Sequence, residues 1–194
     1  MDYYTVNENF ISDIRQGYVT DAKKLMEHEL FDANYSGERG STHLEAVAAS
    51  RDNPEIMKAL IDKGADSRQY PYALILASHW GYLGNMAVLI DHGADIHAKR
   101  EHALVVAIEA HQTGATQMLI NKGADVEIAI PQVRNIKEET AQWVRDTANS
   151  VKLANKLDTT LPQKDSYEDM MKKLGIQHKD KQEQSITRAG KIKV

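Results

Sequence analysis

The sequence predicts an all-α solenoid, a stack of short helix pairs, with a C-terminal helical extension. Three observations predict this fold. One heptapeptide occurs three times, at residues 60–66 (LIDKGAD), 89–95 (LIDHGAD) and 119–125 (LINKGAD), with spacings of 29 and 30 residues. A short apolar stretch precedes each copy at a matching offset, and each copy contains a glycine where a helix should end. Each unit is therefore predicted to be a helix, a turn, a second helix and a glycine-terminated loop.

The glycines mark the ends of the second helices. Ile56, Ala59 and Leu60 recur at helical spacing before the first of them. A residue just beyond a helix C-terminus commonly adopts the left-handed conformation, which glycine tolerates best. The first helices are predicted around residues 44–49, 73–77 and 103–107. The expected left-handed residues are Gly64, Gly93 and Gly123.

These units resemble the ankyrin-repeat family. The Gly-Ala-Asp triplets match its signature, and residues 73–98 match most closely, including Gly81 in the turn between helices. The usual Thr-Pro-Leu-His opening is absent, and the first copy has only Ser-Thr-His-Leu at residues 41–44. The units are also shorter than the family's usual length of about 33 residues, which predicts clipped hairpin fingers. Such short units resemble repeats in viral and bacterial ankyrin proteins and favour a viral or bacterial source.

The flanking segments are expected to cap the stack. Shifting the second unit back by 64 residues places Gly81 on Gly17, which predicts a degenerate N-terminal capping repeat without the Gly-Ala-Asp loop. Its polar outer surface suits a terminal repeat. The predicted boundaries are 1–36 for this cap, 37–130 for three repeats (37–69, 70–98 and 99–130), 131–176 for a helical cap or extension, and 177–194 for a basic, disordered tail.

Apolar residues at spacings of three and four predict one long amphipathic helix from Val133 to Ala154, after Pro131. A second short helix is predicted at residues 166–174. The long helix carries two apolar stripes, of which only one need face the repeats, so the other might pair two chains in a homo-oligomer. The stripes are Val133, Ile136, Val144 and Val151, and Trp143, Leu153 and Leu157.

Charge is divided unevenly along the chain. The net charge of −4 combines −8 over residues 1–128 with +4 over residues 129–194, which argues against a wholly basic nucleic-acid binder. The absence of cysteine excludes disulfides, thiolate nucleophiles and iron–sulfur sites. No apolar stretch approaches the roughly 20 residues that span a bilayer, and the N-terminus lacks the basic and apolar regions of a signal peptide. We therefore expect a soluble, untargeted protein of the cytoplasm.

No motif predicts catalysis. The sequence has no phosphate-binding glycine loop, no His-Glu-x-x-His and no Gly-x-Ser-x-Gly, so we expect neither enzyme activity nor a cofactor. A metal site at His92, His97 and His102 is disfavoured because a spacing of five does not place residues on one helix face. The repeated carboxylates are expected to cap their own loops. They are Asp66, Asp95 and Asp125.

The resemblance implies partner contacts from the fingers and from the solvent-facing side of each first helix. The positions in this chain are Arg51, Arg68, Tyr70, Tyr72, His79, Trp80, Lys99, Arg100, His102 and His111, with Glu101 and Glu109 beside them. Trp80 is either a partner anchor or packs over Tyr82. Of the two tyrosines beside Pro71, Tyr70 is expected to be exposed, and Trp143 is expected to cover the terminal repeat.

The leading hypothesis is a non-enzymatic module that binds a partner protein through its concave face, in which case the acidic repeats favour a partner with positive charge. If the source is viral, a host protein is a natural target, to be inhibited or recruited. The alternative is weak nucleic-acid contact by the basic residues of 164–193. That segment might instead fold back on the acidic repeats or stay solvated.

Overall fold

The computed structural model describes residues 1–37 and 40–160. The predicted helix at 166–174 and the basic tail at 177–194 lie outside the described residues, as do most of the cations proposed to contact nucleic acid. The compact unit that contains the repeats comprises Met1–Val151.

The described residues form helices without a strand, which confirms the all-α prediction. A short 3-10 helix, Ile130–Gln132, separates the last two α-helices, and a single antiparallel bridge joins Ser36 to Thr42. The α-helices are α1 Tyr3–Gln16, α2 Val19–Met26, α3 His43–Ser50, α4 Pro54–Asp62, α5 Pro71–Trp80, α6 Leu83–Asp91, α7 Ala98–Glu109, α8 Thr113–Asn121, α9 Val126–Ala129 and α10 Glu138–Thr160.

Helices α1 to α8 form four pairs that stack in two layers. The first helices α1, α3, α5 and α7 contact one another in order, while α4, α6 and α8 form the second layer. Leucines at equivalent positions fill the space between the layers, and each contributes about 2 kcal/mol by leaving water. These fully buried leucines are Leu44, Leu74 and Leu104 in the first helices and Leu60, Leu89 and Leu119 in the second.

The loop after each second helix has the same geometry in all three repeats. Gly64, Gly93 and Gly123 have φ of 98°, 89° and 103°, as expected for the left-handed residue after a helix. The side chain of Asp66 accepts a hydrogen bond from the backbone N–H two residues later at 3.0 Å. Asp95 and Asp125 repeat this Asx turn at 2.9 Å. The prediction that these carboxylates cap their own loops is confirmed.

The N-terminal pair has the same turns. Gly17 between α1 and α2 has φ of 84°, and Gly81 between α5 and α6 has φ of 69°. The expectation that this pair lacks the aspartate loop is wrong in one respect. Asp32 accepts a hydrogen bond from the N–H of Asn34 at 2.9 Å, so it forms the same Asx turn. It lies one residue beyond the position that the shift of 64 selects, and that insertion hid it.

A buried histidine joins the N-terminal pair to the next one. His43, at the start of α3, donates from Nε2 to the carbonyl oxygen of Asn7 at 3.2 Å. Its ring stacks on Phe31 and lies 4.5 Å from the ring centroid of Phe10. Burial lowers the pKa of His43 to about 4. The imidazole therefore packs here as a neutral ring.

Asn85 joins the second pair to the third. Its fully buried side chain donates to the carbonyl oxygen of Arg51 at 2.8 Å and accepts from the N–H of Asn53 at 2.9 Å. The carboxylate of Asp52 in turn accepts from the N–H groups of Gly84 and Asn85 at 3.0 and 2.8 Å. It thereby caps α6 from the preceding repeat.

The C-terminal segment differs from the prediction of one helix starting at Val133. The chain first forms α9 and the 3-10 turn that contains Pro131, and α10 begins only at Glu138. Asn135 has a φ of 51°, which breaks the helix. Val133 and Ile136 still pack against the core from this irregular segment. Ala141, Val144 and Ala148 form the buried stripe of α10.

Candidate functional site

An aromatic cluster lies where α5 ends. Trp80 is 50% exposed, stacks on Tyr82 with ring centroids 6.5 Å apart and 19° between planes, and contacts His79 edge-on at 5.1 Å. The Tyr82 hydroxyl donates to the carbonyl oxygen of Ser50 at 3.2 Å, which ties the cluster to the preceding repeat. Trp80 thus packs over Tyr82 and still presents half of its surface to solvent. We call His79, Trp80 and Tyr82 the aromatic cluster.

A second exposed aromatic residue lies at the start of α5. Tyr72 is 49% exposed, and the Lys99 ammonium lies 4.4 Å from its ring centroid, a distance at which the cation is attracted to the ring face. The expectation that Tyr70 is the exposed tyrosine is wrong. Tyr70 is half-buried because it precedes Pro71 at the helix start and packs against the core.

The turn that leads into α7 has an unusual backbone. Lys99, Arg100 and Glu101 have φ of 51°, 60° and 64° in succession, and each non-glycine residue in this region costs about 1–2 kcal/mol. Lys99 and Arg100 are exposed, but Glu101 is buried, contrary to its expected place on the surface. Glu101 accepts a hydrogen bond from Nδ1 of His97 at 2.5 Å, which raises the pKa of His97.

The other predicted contact residues do not form one cluster with Trp80. Arg68 is exposed, but its guanidinium pairs with the Asp66 carboxylate at 3.0 Å and lowers the pKa of Asp66. The exposed Arg51 lies over Gly17, whereas His102 is half-buried. His111 is exposed in the α7–α8 turn with a φ of 56°.

The histidines considered for metal binding have other contacts. Nδ1 of His92 lies 2.7 Å from the carbonyl oxygen of Val88, and His97 pairs with Glu101. Within residues 1–37 and 40–160, no group of three or more His, Cys, Asp or Glu side chains is placed to hold a metal ion. In the same part of the chain, no helix combines the length and apolar character needed to cross a bilayer.

Sequence reasoning missed a cavity at the C-terminal end of the repeats. It has a volume of about 390 Å³ and lies between the α7–α8 turn and α10. His111 lines it from the turn, and Trp143 lines it from α10. Trp143 is 38% exposed, so the expectation that it covers the terminal repeat as a core residue is wrong. The buried stripe of α10 consists of small and branched residues, which leaves the bulky indole at the cavity wall.

Asn85 was also missed, although its signal is visible in the sequence. The equivalent positions in the neighbouring repeats are Ile56 and Ala115, so a polar residue interrupts an otherwise apolar column. Such a residue in a core position predicts a buried hydrogen-bonding role.

The stacked helix pairs, glycine-terminated loops and exposed first-helix ends define a helical-repeat solenoid. The family model for ankyrin repeats, in three copies, matches residues 46–130, which extend from within α3 to the start of the 3-10 turn. The chain is an ankyrin-repeat protein. Ankyrin repeats are generally protein–protein interaction modules and typically non-enzymatic. No curated protein matches the chain.

Proposed function

We propose that this chain is a non-enzymatic module that binds a partner protein through the ends of its first helices and the adjoining turns. The observation that carries the proposal is the aromatic cluster, in which Trp80 is fixed on Tyr82 and half exposed. A rigid, partly exposed tryptophan loses little conformational freedom on binding. Tryptophan and arginine are also enriched among residues that dominate binding energy.

The charges near this surface support an orienting role. Residues 1–128 have a net charge of −8, which favours approach by a partner with a positive surface. Lys99 and Arg100 are exposed cations within this acidic background, and Lys99 is held over Tyr72. They favour a local acidic group on the partner, so that the partner docks in one orientation.

The short repeats favour a more specific role. Units of 29 and 30 residues resemble those of viral and bacterial ankyrin proteins. We infer that the chain acts as an adaptor or an inhibitor of a host protein in the cytoplasm. Blocking a surface of the host protein and recruiting it to another factor are both compatible with a single binding face.

The experiment isolates the partner first and then locates its binding site. Affinity purification from the native host with mass spectrometry identifies candidates, and calorimetry with the purified partner gives Kd. The double variant W80A/R100A should weaken binding by about 2 kcal/mol or more, roughly thirtyfold in Kd, while the melting temperature stays the same.

The matched control is Y18A/K58A. Tyr18 is exposed at the start of α2, and Lys58 is exposed on α4, so the control removes an aromatic ring and a cation elsewhere on the molecule. Its Kd should equal that of the wild type. Equal Kd values for W80A/R100A and the wild type would rule out this surface as the partner site.

A further inference from the structure

The cavity beside α10 has walls of mixed chemistry. The α7–α8 side contributes Ile108, Thr113 and Thr116, and α10 contributes Glu139 and Trp143. Glu139 and Trp143 are four residues apart on one helix and therefore lie on the same face. A carboxylate and an indole thus border one space, with two threonine hydroxyls on the opposite wall.

We propose that this cavity binds an arginine side chain of a partner protein. A guanidinium group stacks on an indole face and pairs with a carboxylate, and its planar shape allows both contacts at once. The hydroxyls of Thr113 and Thr116 can accept hydrogen bonds from the remaining N–H groups. The net charge of −8 over residues 1–128 draws basic segments towards this unit.

The carboxylate of Glu139 is available for such a ligand. No cation in the described part of the chain forms an ion pair with it, whereas its neighbour Glu138 pairs with Arg145 at 3.5 Å. Arg134 and Lys137 line an adjoining cavity of about 370 Å³. In that cavity the Glu109 carboxylate already accepts a hydrogen bond from the N–H of Arg134 at 2.9 Å.

The backbone at the cavity edge supports a functional role. His111 has a φ of 56° at the turn position where Gly17 and Gly81 occupy the same conformation without strain. Residues held in sparsely populated conformations concentrate at binding sites. This site is separate from the aromatic cluster of α5, so the proposal goes beyond the function proposed above and adds a second point of contact.

The test follows the indole N–H signals of the full-length protein by NMR. The chain has two tryptophans, and a W143F variant assigns the two signals. The probes are blocked Gly-Arg-Gly, Gly-Lys-Gly and Gly-citrulline-Gly tripeptides. The arginine peptide should shift the Trp143 signal saturably with a Kd in the millimolar range. The citrulline peptide, which keeps the shape without the charge, should leave the signal in place.

Two variants test the carboxylate. E139Q should weaken arginine-peptide binding by about fivefold, the upper range for an exposed ion pair, whereas E138Q should leave it unchanged. An unmoved Trp143 signal, equal shifts by the citrulline peptide, or equally tight lysine binding would overturn the arginine site. If W80A/R100A loses its partner while Trp143 remains silent, only the present proposal fails. The converse result contradicts only the α5 surface.

Discussion

His43 is a neutral ring in an aromatic cage, and its burial makes stability depend on pH. The folded-state pKa is about 4, whereas an exposed histidine has a pKa of about 6.5. The unfolded chain therefore binds more protons between these values. Stability should be fully present above pH 6.5 and fall as pH drops towards 4, with up to about 3 kcal/mol lost to this group.

Two measurements check this expectation. NMR titration should show no protonation of His43 above pH 5. Urea unfolding of H43F, which keeps a ring and removes the titration, should show a smaller loss of stability between pH 6.5 and 4.5 than the wild type. H79Q, which alters an exposed histidine, serves as the control. A normal pKa for His43, or an unchanged pH profile in H43F, would contradict the assignment.

His111 stores strain that a single substitution can release. Its φ of 56° costs about 1–2 kcal/mol for a side-chain-bearing residue, part of which glycine offsets by its greater freedom in the unfolded state. We expect H111G to raise the free energy of unfolding by about 0.5 kcal/mol, measured by urea denaturation. H111A removes the same imidazole but keeps the strain, so equal stability of the two variants would contradict this account.

Individual residues also show why sequence patterns predicted the loops better than the surface. The Asp66 turn depends on contacts two residues away, and its repetition in two further copies made it recognisable. The exposure of Tyr72 and Trp143 depends on how distant helices pack, which no local pattern encodes. Glu101 is buried by a left-handed turn of three ordinary residues, for which the sequence carries no glycine signal.

At the scale of elements, the register between helix pairs depends on Asn85. N85A would leave the buried N–H of Asn53 and the carbonyl oxygen of Arg51 without their partners. We expect the free energy of unfolding to fall by about 2–3 kcal/mol, measured by urea denaturation. N121A removes an exposed amide on α8 and should change it by less than about 0.5 kcal/mol. A loss as small for N85A would mean that apolar packing alone sets the register.

The predicted oligomer also belongs to this scale. Leu153 and Leu157 are 59% and 50% exposed and lie four residues apart on α10, a spacing that suits a helix–helix seam. We expect self-association that L153K weakens and K152A leaves intact. Light scattering across a concentration series measures it, and a monomeric mass at every concentration would exclude pairing through this face.

At the scale of the whole molecule, the repeat architecture was accessible from the sequence because each buried leucine recurs with the spacing of its neighbours. The segment after residue 130 was less accessible. Its apolar spacing suggested one helix, yet Pro131 and the left-handed Asn135 interrupt the chain before α10 begins. The cavity beside α10 exists because of that interruption, so the sequence pattern could not indicate it.

The central claim is that the partner binds at the exposed aromatic residues of α5. Hydroxyl-radical footprinting of the free protein and of the purified complex measures this at the side chains themselves. Oxidation of Trp80 and Tyr72 should fall several-fold in the complex, and oxidation of Tyr18 should stay the same. Equal oxidation of Trp80 and Tyr72 in the free and bound protein would contradict the claim.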